Sequence, residues 1–359
     1  GIVLLVVSER DRYGLAGALS ATFAIVNAAA APAISRLIDR LGQRRVLVPA
    51  VTLHAAFLSL FVLLVTVDAP IWTFYPAAAA AGCFGPSIGS LVRARWGYVL
   101  GSGSRLTTAY AYESVLDEVI FVLGPLIVTV LATKVSPPVG LLSAVLLVVA
   151  GTAALVTHRA SEPPAGAGHE EGHPSALRSP GLGALMVVMA FVGGVFGAVE
   201  ISTVAFADEA GRPGLAGPLL ACYAAGSAVS GLLFGTIHWN VSARRRLLLG
   251  ATTMTVTVAA LPFIGSLGLL AVFLFIAGVG IAPTLISGFS LVERMVPEGT
   301  VTEGLTWATT GLVVGLSAAI WMSGRLVDDA GVSEAFAVAA GSGLCSLVVC
   351  GLAYRRLPR

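Results

Sequence analysis

Charge is what this sequence has least of. Asp, Glu, Lys and Arg make up 11% of its 359 residues, against roughly a quarter in an ordinary soluble domain. A water-soluble fold this poor in charge would have nothing to cover its surface with, whereas lipid accepts such a surface. Lysine is nearly absent, Lys134 standing alone against twenty arginines. The net charge is only +2, so no basic excess points to nucleic acid. The four cysteines, Cys83, Cys222, Cys345 and Cys350, all lie inside apolar runs and form no C-x-x-C. That spacing offers no thiolate cluster for metal or redox chemistry, and small core residues are expected there. No segment shows the period-two alternation of a membrane barrel.

What remains is apolar: 57% of the chain, with a mean hydropathy of +0.91. A transmembrane helix needs about 20 apolar residues. The apolar runs, punctuated by Gly, Pro and charge, predict spans over about 14–36, 46–66, 70–92, 107–132, 137–157, 182–206, 216–237, 246–264, 267–291, 302–324 and 334–353. Numbering these spans 2 to 12 leaves the seven apolar residues 1–7, too few to cross, as the far end of a first helix whose start is missing. Ser136-Pro137 reads as an N-cap with proline at the first helical position. Thr300-Val301-Thr302-Glu303 reads as a capping box, and Ser333-Glu334 as the opening of span 12.

The basic residues of the connections give direction. One set of loops, alternating along the chain, carries sixteen of them, from Arg36, Arg40, Arg44 and Arg45 to Arg355, Arg356 and Arg359. The other set carries five: Arg10, Arg12, Lys134, Arg212 and Arg325. The positive-inside rule makes the richer set cytoplasmic, together with the C-terminus. A multi-pass protein of a cytoplasmic membrane is expected.

Residues 158–181 are rich in Pro, Gly and charge and read as a flexible cytoplasmic linker. They divide the chain into an N-terminal half, 1–157, and a C-terminal half, 182–359. The halves echo each other: ISRLIDRLGQRRVLV after span 2 aligns with FGTIHWNVSARRRLLL after span 8 at an offset of 200, so Arg44 meets Arg244 and Arg45 meets Arg245. AGCFGPSIG in span 4 likewise resembles AGVGIAPTLISG in span 10. Internal duplication is a signature of transporters that rock two halves about a central site.

The loop from Ser35 to Arg45 carries the most specific motif. Asp39, Arg40, Gly42 and Arg44 fit the pattern G-x-x-x-D-(R/K)-x-G-(R/K)-(R/K), with Ser35 at its first glycine and Gln43 at one basic position. Gly42 supplies the tight turn, and Arg45 extends the basic run. This resembles the signature of the major facilitator superfamily. The resemblance implies an all-α integral membrane fold of two six-helix bundles related by a pseudo-two-fold axis, here with the first helix mostly missing. It also implies alternating access and a cavity between the halves. Asp39 would then help latch the cytoplasmic side of the first half onto span 11 in the outward-open state.

Glu113, Asp117 and Glu118 lie in span 5, the latter two near mid-bilayer, where a carboxylate is costly and faces a cavity or a partner. Glu113 and Asp117 are i,i+4 neighbours, and Gly124 and Pro125 continue their face. This Gly-Pro resembles part of the span-5 motif of facilitator antiporters; Leu126 to Thr129 stand where that motif has a second glycine pair. Carboxylates crowded in a low dielectric cannot all ionise, which suits a proton carrier. The same groups could fix helix packing through a partner such as Arg93. Glu200, in the outer half of span 7, offers the same choice between a cavity role and a packing hydrogen bond. His54 reads as a hydrogen-bonded structural histidine. His169-Glu170-Glu171-Gly172-His173 matches H-E-x-x-H, but the prolines and glycines around it oppose the helix that motif needs to bind zinc.

The expected function is secondary active transport of a small organic solute, drug-like or sugar-like, by proton-coupled efflux. The alternatives are an importer or uniporter of the same fold and a membrane sensor or scaffold that moves nothing. No enzyme activity, cofactor, metal or nucleic-acid partner is expected. The partners are a small-molecule substrate, protons and the bilayer, and the protein should be a monomer.

Overall fold

The computed structural model describes residues 1–359 apart from 11, 102, 167–174, 238, 298, 356 and 359, and leaves out the side chains of residues 13, 121, 122, 125 and 213. The H-E-x-x-H stretch lies outside the described residues. Fourteen α-helices are described, with no strand among the described residues: α1 (Ile2–Arg10), α2 (Tyr13–Leu41), α3 (Gln43–Thr66), α4 (Phe74–Cys83), α5 (Ile88–Leu100), α6 (Ser104–Lys134), α7 (Pro137–Thr157), α8 (Leu182–Glu209), α9 (Ala216–Thr236), α10 (Ala243–Val258), α11 (Leu267–Gly278), α12 (Ile281–Met295), α13 (Val301–Asp329) and α14 (Val332–Ala353). Nine stretches among the described residues are long and apolar enough to cross a membrane, with α11 and α12 counted as one. Span 4 is not among them, because Gly85-Pro86 breaks it into α4 and α5. Helix α6 is 31 residues long and carries the three span-5 carboxylates.

The contacts divide the chain into two compact units. Unit 1 comprises Gly1–Tyr98, Ile120–His173 and Glu298–Thr306; unit 2 comprises Val99–Val119, Pro174–Pro297 and Trp307–Arg359. Helices α6 and α13 therefore contribute to both.

In unit 1, α1 packs through one buried face. Leu5 and Val6 are fully enclosed and pack with Leu15 and Leu19 of α2, Phe61 and Val62 of α3, Phe74 and Ala78 of α4, and Leu141 of α7. Arg10 closes this end: it pairs with Asp68, donates to Val65 O at 3.0 Å and lies over the Phe74 ring. The break in span 4 is held from α2. Gly82 packs on the carbonyl of Phe23, where a Cβ would come within 2.4 Å. One turn on, Asn27 Nδ2 donates to Gly82 O at 2.9 Å and Gly85 O at 3.1 Å, satisfying carbonyls that the broken helix leaves free. His54 is buried and meets Ala81 O through Nδ1 at 2.7 Å, the structural role expected of it.

In unit 2, α8 packs on α14 and crosses α13 through facing glycine pairs four residues apart. A Cβ on Gly193 or Gly197 would meet Leu312 O or Leu316 O at 1.9 or 2.3 Å, and one on Gly311 or Gly315 would meet Met186 O or Ala190 O at 2.6 or 1.6 Å. Such small-residue pairs let helices approach to backbone contact where no hydrophobic force drives them together. Span 10, like span 4, is broken, between α11 and α12.

Four local expectations change. Pro137 does open α7, but Ser136 makes no side-chain cap bond. Helix α14 starts one residue early, at Val332 after Gly331, and the Ser333 hydroxyl donates to Pro262 O at 2.7 Å instead of capping. Cys350 is buried and Cys83 and Cys222 half-buried, but Cys345 is exposed, because a lipid-facing surface accepts apolar side chains as readily as a core does. Finally, the first part of the linker is not free: Glu162 is bonded to the first turn of α3 and Gly166 to the last turn of α2.

Candidate functional site

The first cluster lies at the α2–α3 corner of unit 1. Gly42, at φ +94°, ψ 148°, makes the corner, a conformation disfavoured for residues with a Cβ. It leaves Asp39 near the end of α2, and Asp39 Oδ2 accepts from the backbone N–H of Glu303 at 2.8 Å. Glu303 is the third residue of α13, so the carboxylate sits on a helix N-terminus, whose free N–H groups and dipole favour an anion. The buried Thr302 hydroxyl also bonds Asp39. The amide assigned from sequence to a local capping box is thus bonded to a carboxylate from another helix. One turn back along α2, the Ser35 and Thr306 hydroxyls meet at 2.8 Å, both buried, and Arg36 makes a loose ion pair with Glu303 at 3.9 Å. Arg40, Arg44 and Arg45 are exposed.

The motif's unexpected glutamine has a partner. Gln43 is buried and its Oε1 accepts from Arg95 Nε at 2.7 Å. Arg95 Nη1 donates to Leu155 O and His158 O, both at 2.8 Å, and to Ser161 Oγ at 3.0 Å. It thereby ties the C-terminus of α7 to α5. Glu162, just beyond, accepts the Arg44 amide at 2.9 Å and caps α3, while Gly166 N donates to Asp39 O at 3.1 Å. Corner, α5, α7 and linker start form one hydrogen-bonded assembly.

The second cluster lies in unit 2. Of the span-5 carboxylates, Glu113 is buried, Asp117 exposed and Glu118 half-buried, so Glu113 and Asp117 share a helical face but not an environment. Helix α6 runs through Gly124 and Pro125 unbroken; a Cβ on Gly124 would meet nothing within 4 Å, and the Pro125 side chain lies outside the description. Glu118 faces α9. There Ser227, fully buried, directs its hydroxyl towards the Glu118 carboxylate without completing a bond of ordinary geometry. One turn earlier on α9, the buried Tyr223 hydroxyl feels the Glu118 charge and likewise has no hydrogen bond. Phe196 of α8 packs edge-on against Tyr223, with ring centroids 6.2 Å apart.

Two buried hydroxyls without partners beside a half-buried carboxylate are costly to keep unless something else binds there. Neither Tyr223 nor Ser227 stood out in the sequence. The available signal was their i,i+4 spacing and their offset of 200 from Phe23 and Asn27. Glu200 on α8 is half-buried and makes no hydrogen bond or ion pair with any described residue; Glu118 and Glu200 lie in the same unit.

Comparison with known proteins bears on these clusters. The family model described as Major Facilitator Superfamily matches residues 8–267. No curated protein matches the chain. Among solved structures, an outward-facing bacterial homologue of the iron transporter ferroportin aligns with a TM-score of 0.74 at 15% identity, covering 99% of this chain and 94% of that one. The human organic anion transporter MFSD10 aligns at 0.70 and 16%, covering 93% and 83%. A crystal structure of the E. coli fucose:proton symporter aligns at 0.67 and 16%, covering 97% and 93%. At such identities the likeness is one of fold.

Proposed function

Since the chain belongs to the major facilitator superfamily, and is a multi-pass membrane transporter by family and fold, we propose that it couples export of a small organic solute to proton entry. The observation carrying this is the Glu118–Ser227–Tyr223 cluster. A carboxylate in an apolar span, faced by two unsatisfied hydroxyls, can take a proton in one state and release it in another. Glu200 and Asp117 serve as further proton or substrate groups, and Glu113 completes the span-5 set. The cargo is a small organic molecule, drug-like or sugar-like, bound by these polar groups.

The α2–α3 corner supplies the gate in this reading. Asp39 on the N-terminus of α13, supported by Ser35–Thr306, forms a bond set that must break when the cytoplasmic side opens. Arg40, Arg44 and Arg45 stay solvated on the cytoplasmic side, as does the C-terminus. Residues 1–157 and 182–359 act as the two halves, and the transporter works as a monomer in the cytoplasmic membrane. The structural relatives are described as a homologue of an iron transporter, an organic anion transporter and a fucose:proton symporter, so the cargo rests on the site chemistry. The symporter among them supports a second reading, proton-coupled import through the same cluster.

The test is flux in proteoliposomes with an imposed pH gradient, screened over a panel of organic solutes. The wild type should move a solute against its gradient and move protons the opposite way. Glu118→Gln should abolish gradient-driven accumulation while keeping solute exchange at equal pH. Protons and solute moving together would replace export with import. Unchanged accumulation in Glu118→Gln would remove this cluster from the coupling.

A further inference from the structure

Near the α9–α10 corner lies a cavity of about 270 Å³, below the range of about 300–1,000 Å³ typical of pockets that enclose whole small molecules. Its wall is apolar, and Arg246 is the one charged side chain among the described residues lining it. Arg246 is 6% exposed, and its buried Nε has no hydrogen-bond partner. The guanidinium lies 5.7 Å from the centre of the Phe234 ring, and neither a hydrogen bond nor an ion pair to any described residue satisfies it. Arg294 is close enough to add repulsion. A buried guanidinium without an anion carries a large desolvation cost, so the cavity is short of a negative group.

The surroundings say what carries that group. Trp239 lines the same cavity, packs on Phe234 with centroids 4.6 Å apart, and donates Nε1–H to Phe234 O at 3.0 Å. An indole with one apolar and one bonded face is typical of the membrane interface. Leu233, Ile237 and Leu249 line the cavity and are themselves exposed, offering an apolar surface continuous with it. The cavity runs along α10 from Arg246 to Thr253, seven residues or about 10 Å. A charged group at one end and an apolar slot running into the bilayer match a lipid: phosphate at Arg246, acyl chain over the leucines.

We propose that this cavity binds an anionic phospholipid, its phosphate on Arg246 and the upper part of one acyl chain along α9 and α10. Basic pockets between membrane helices hold anionic headgroups by charge-assisted hydrogen bonds. The site is separate from the Glu118 cluster, and its test does not depend on transport.

Two measurements decide it. Native mass spectrometry of the detergent-released protein, with phosphatidylglycerol or phosphatidylcholine added, should show one phosphatidylglycerol retained about tenfold more strongly than phosphatidylcholine. Arg246→Gln should erase that preference, and Arg245→Gln, at an exposed position outside the lining, should keep it. The second measurement needs no change at the arginine. Brominated phosphatidylglycerol should quench the part of the wild-type tryptophan emission that is absent from Trp239→Phe, and brominated phosphatidylcholine should not. Equal retention of the two lipids, a preference that survives Arg246→Gln, or equal quenching overturns the proposal. So does displacement of phosphatidylglycerol by millimolar inorganic phosphate alone, which would make the site one for a free anion.

Discussion

The Asp39 latch can be tested by a disulfide placed one turn away from it. Ser35 and Thr306 meet hydroxyl to hydroxyl at 2.8 Å, so thiols at both positions come within bonding reach when the contact is made. The perturbation is Ser35→Cys with Thr306→Cys in a background lacking Cys83, Cys222, Cys345 and Cys350, with and without Asp39→Asn. Asparagine keeps an oxygen for the Glu303 amide but loses the charge. A hydrogen bond to a charged group contributes about 1.5–3 kcal/mol and a neutral one about 0.5–1.5, so the exchange costs about 1 kcal/mol. Losing the anion from the N-terminus of α13 adds a few tenths. The sum, about 1.4 kcal/mol, is about a tenfold fall in the closed-to-open ratio. Wherever the open state already holds a substantial share, the cross-linking rate should fall towards that factor. The assay is loss of maleimide-reactive thiol during mild oxidation, run beside transport. Oxidation should stop transport in the double-cysteine protein and reduction should restore it. Full transport by the oxidised protein would refute a gate at this contact, and an unchanged cross-linking rate with Asp39→Asn would refute the electrostatic account of it.

Further outcomes follow from the same contacts. Arg95→Met leaves Gln43 Oε1, Leu155 O, His158 O and Ser161 Oγ without the donor they share, and should lower stability by about 2–4 kcal/mol, read as a drop in thermal midpoint in detergent. Arg95→Lys should recover only part of this, since an ammonium cannot reproduce the planar fork. Gly315→Ala places a Cβ 1.6 Å from Ala190 O, a backbone atom that no rotamer change can move, and should cost about 1–3 kcal/mol. Gly324→Ala on the same helix, with nothing within 4 Å, should be neutral or slightly stabilising. Glu200→Gln should change solute or proton flux without lowering the thermal midpoint, because no bond to a described residue is lost; a falling midpoint with flux intact would make Glu200 a packing group.

The helices, their order and the family were legible because they rest on long-range patterns: apolar runs of bilayer length and one loop motif. What was not legible depended on partners far away in the chain. Thr300 to Glu303 looked self-sufficient as a capping box, yet the Glu303 amide is bonded to Asp39, 264 residues away. The linker looked flexible from its Pro and Gly content, but composition does not reveal that Glu162 reaches the first turn of α3. Gln43 read as a defect in the motif, whereas an arginine there could not accept the bond that Arg95 donates. Glu118 was legible as a carboxylate within a span; the hydroxyls it faces were not, because Tyr223 and Ser227 in an apolar helix look like ordinary packing residues.

The duplication explains why those two hydroxyls matter. At an offset of 200, Phe23 corresponds to Tyr223 and Asn27 to Ser227. The correspondence holds in three dimensions within each unit, since Gly82 packs on the Phe23 carbonyl and Gly278 on the Tyr223 carbonyl. In the first repeat the polar position is satisfied: Asn27 donates to Gly82 O and Gly85 O and locks the break in span 4. In the second repeat a shorter serine replaces the asparagine, a tyrosine hydroxyl is added one turn away, and neither is satisfied, although a carboxylate stands opposite. Two copies of one helix pair have therefore diverged, one towards a closed hydrogen-bond network and the other towards an open one. Symmetric packing demands neither unsatisfied hydroxyl, and each carries a desolvation cost of about 1–3 kcal/mol. Restoring the first repeat's chemistry with Ser227→Asn and Tyr223→Phe should therefore raise the thermal midpoint while weakening proton-coupled flux. A double variant that gained no stability would show that the unsatisfied hydroxyls carry no strain, and one that transported as well as the wild type would show that they are not functional.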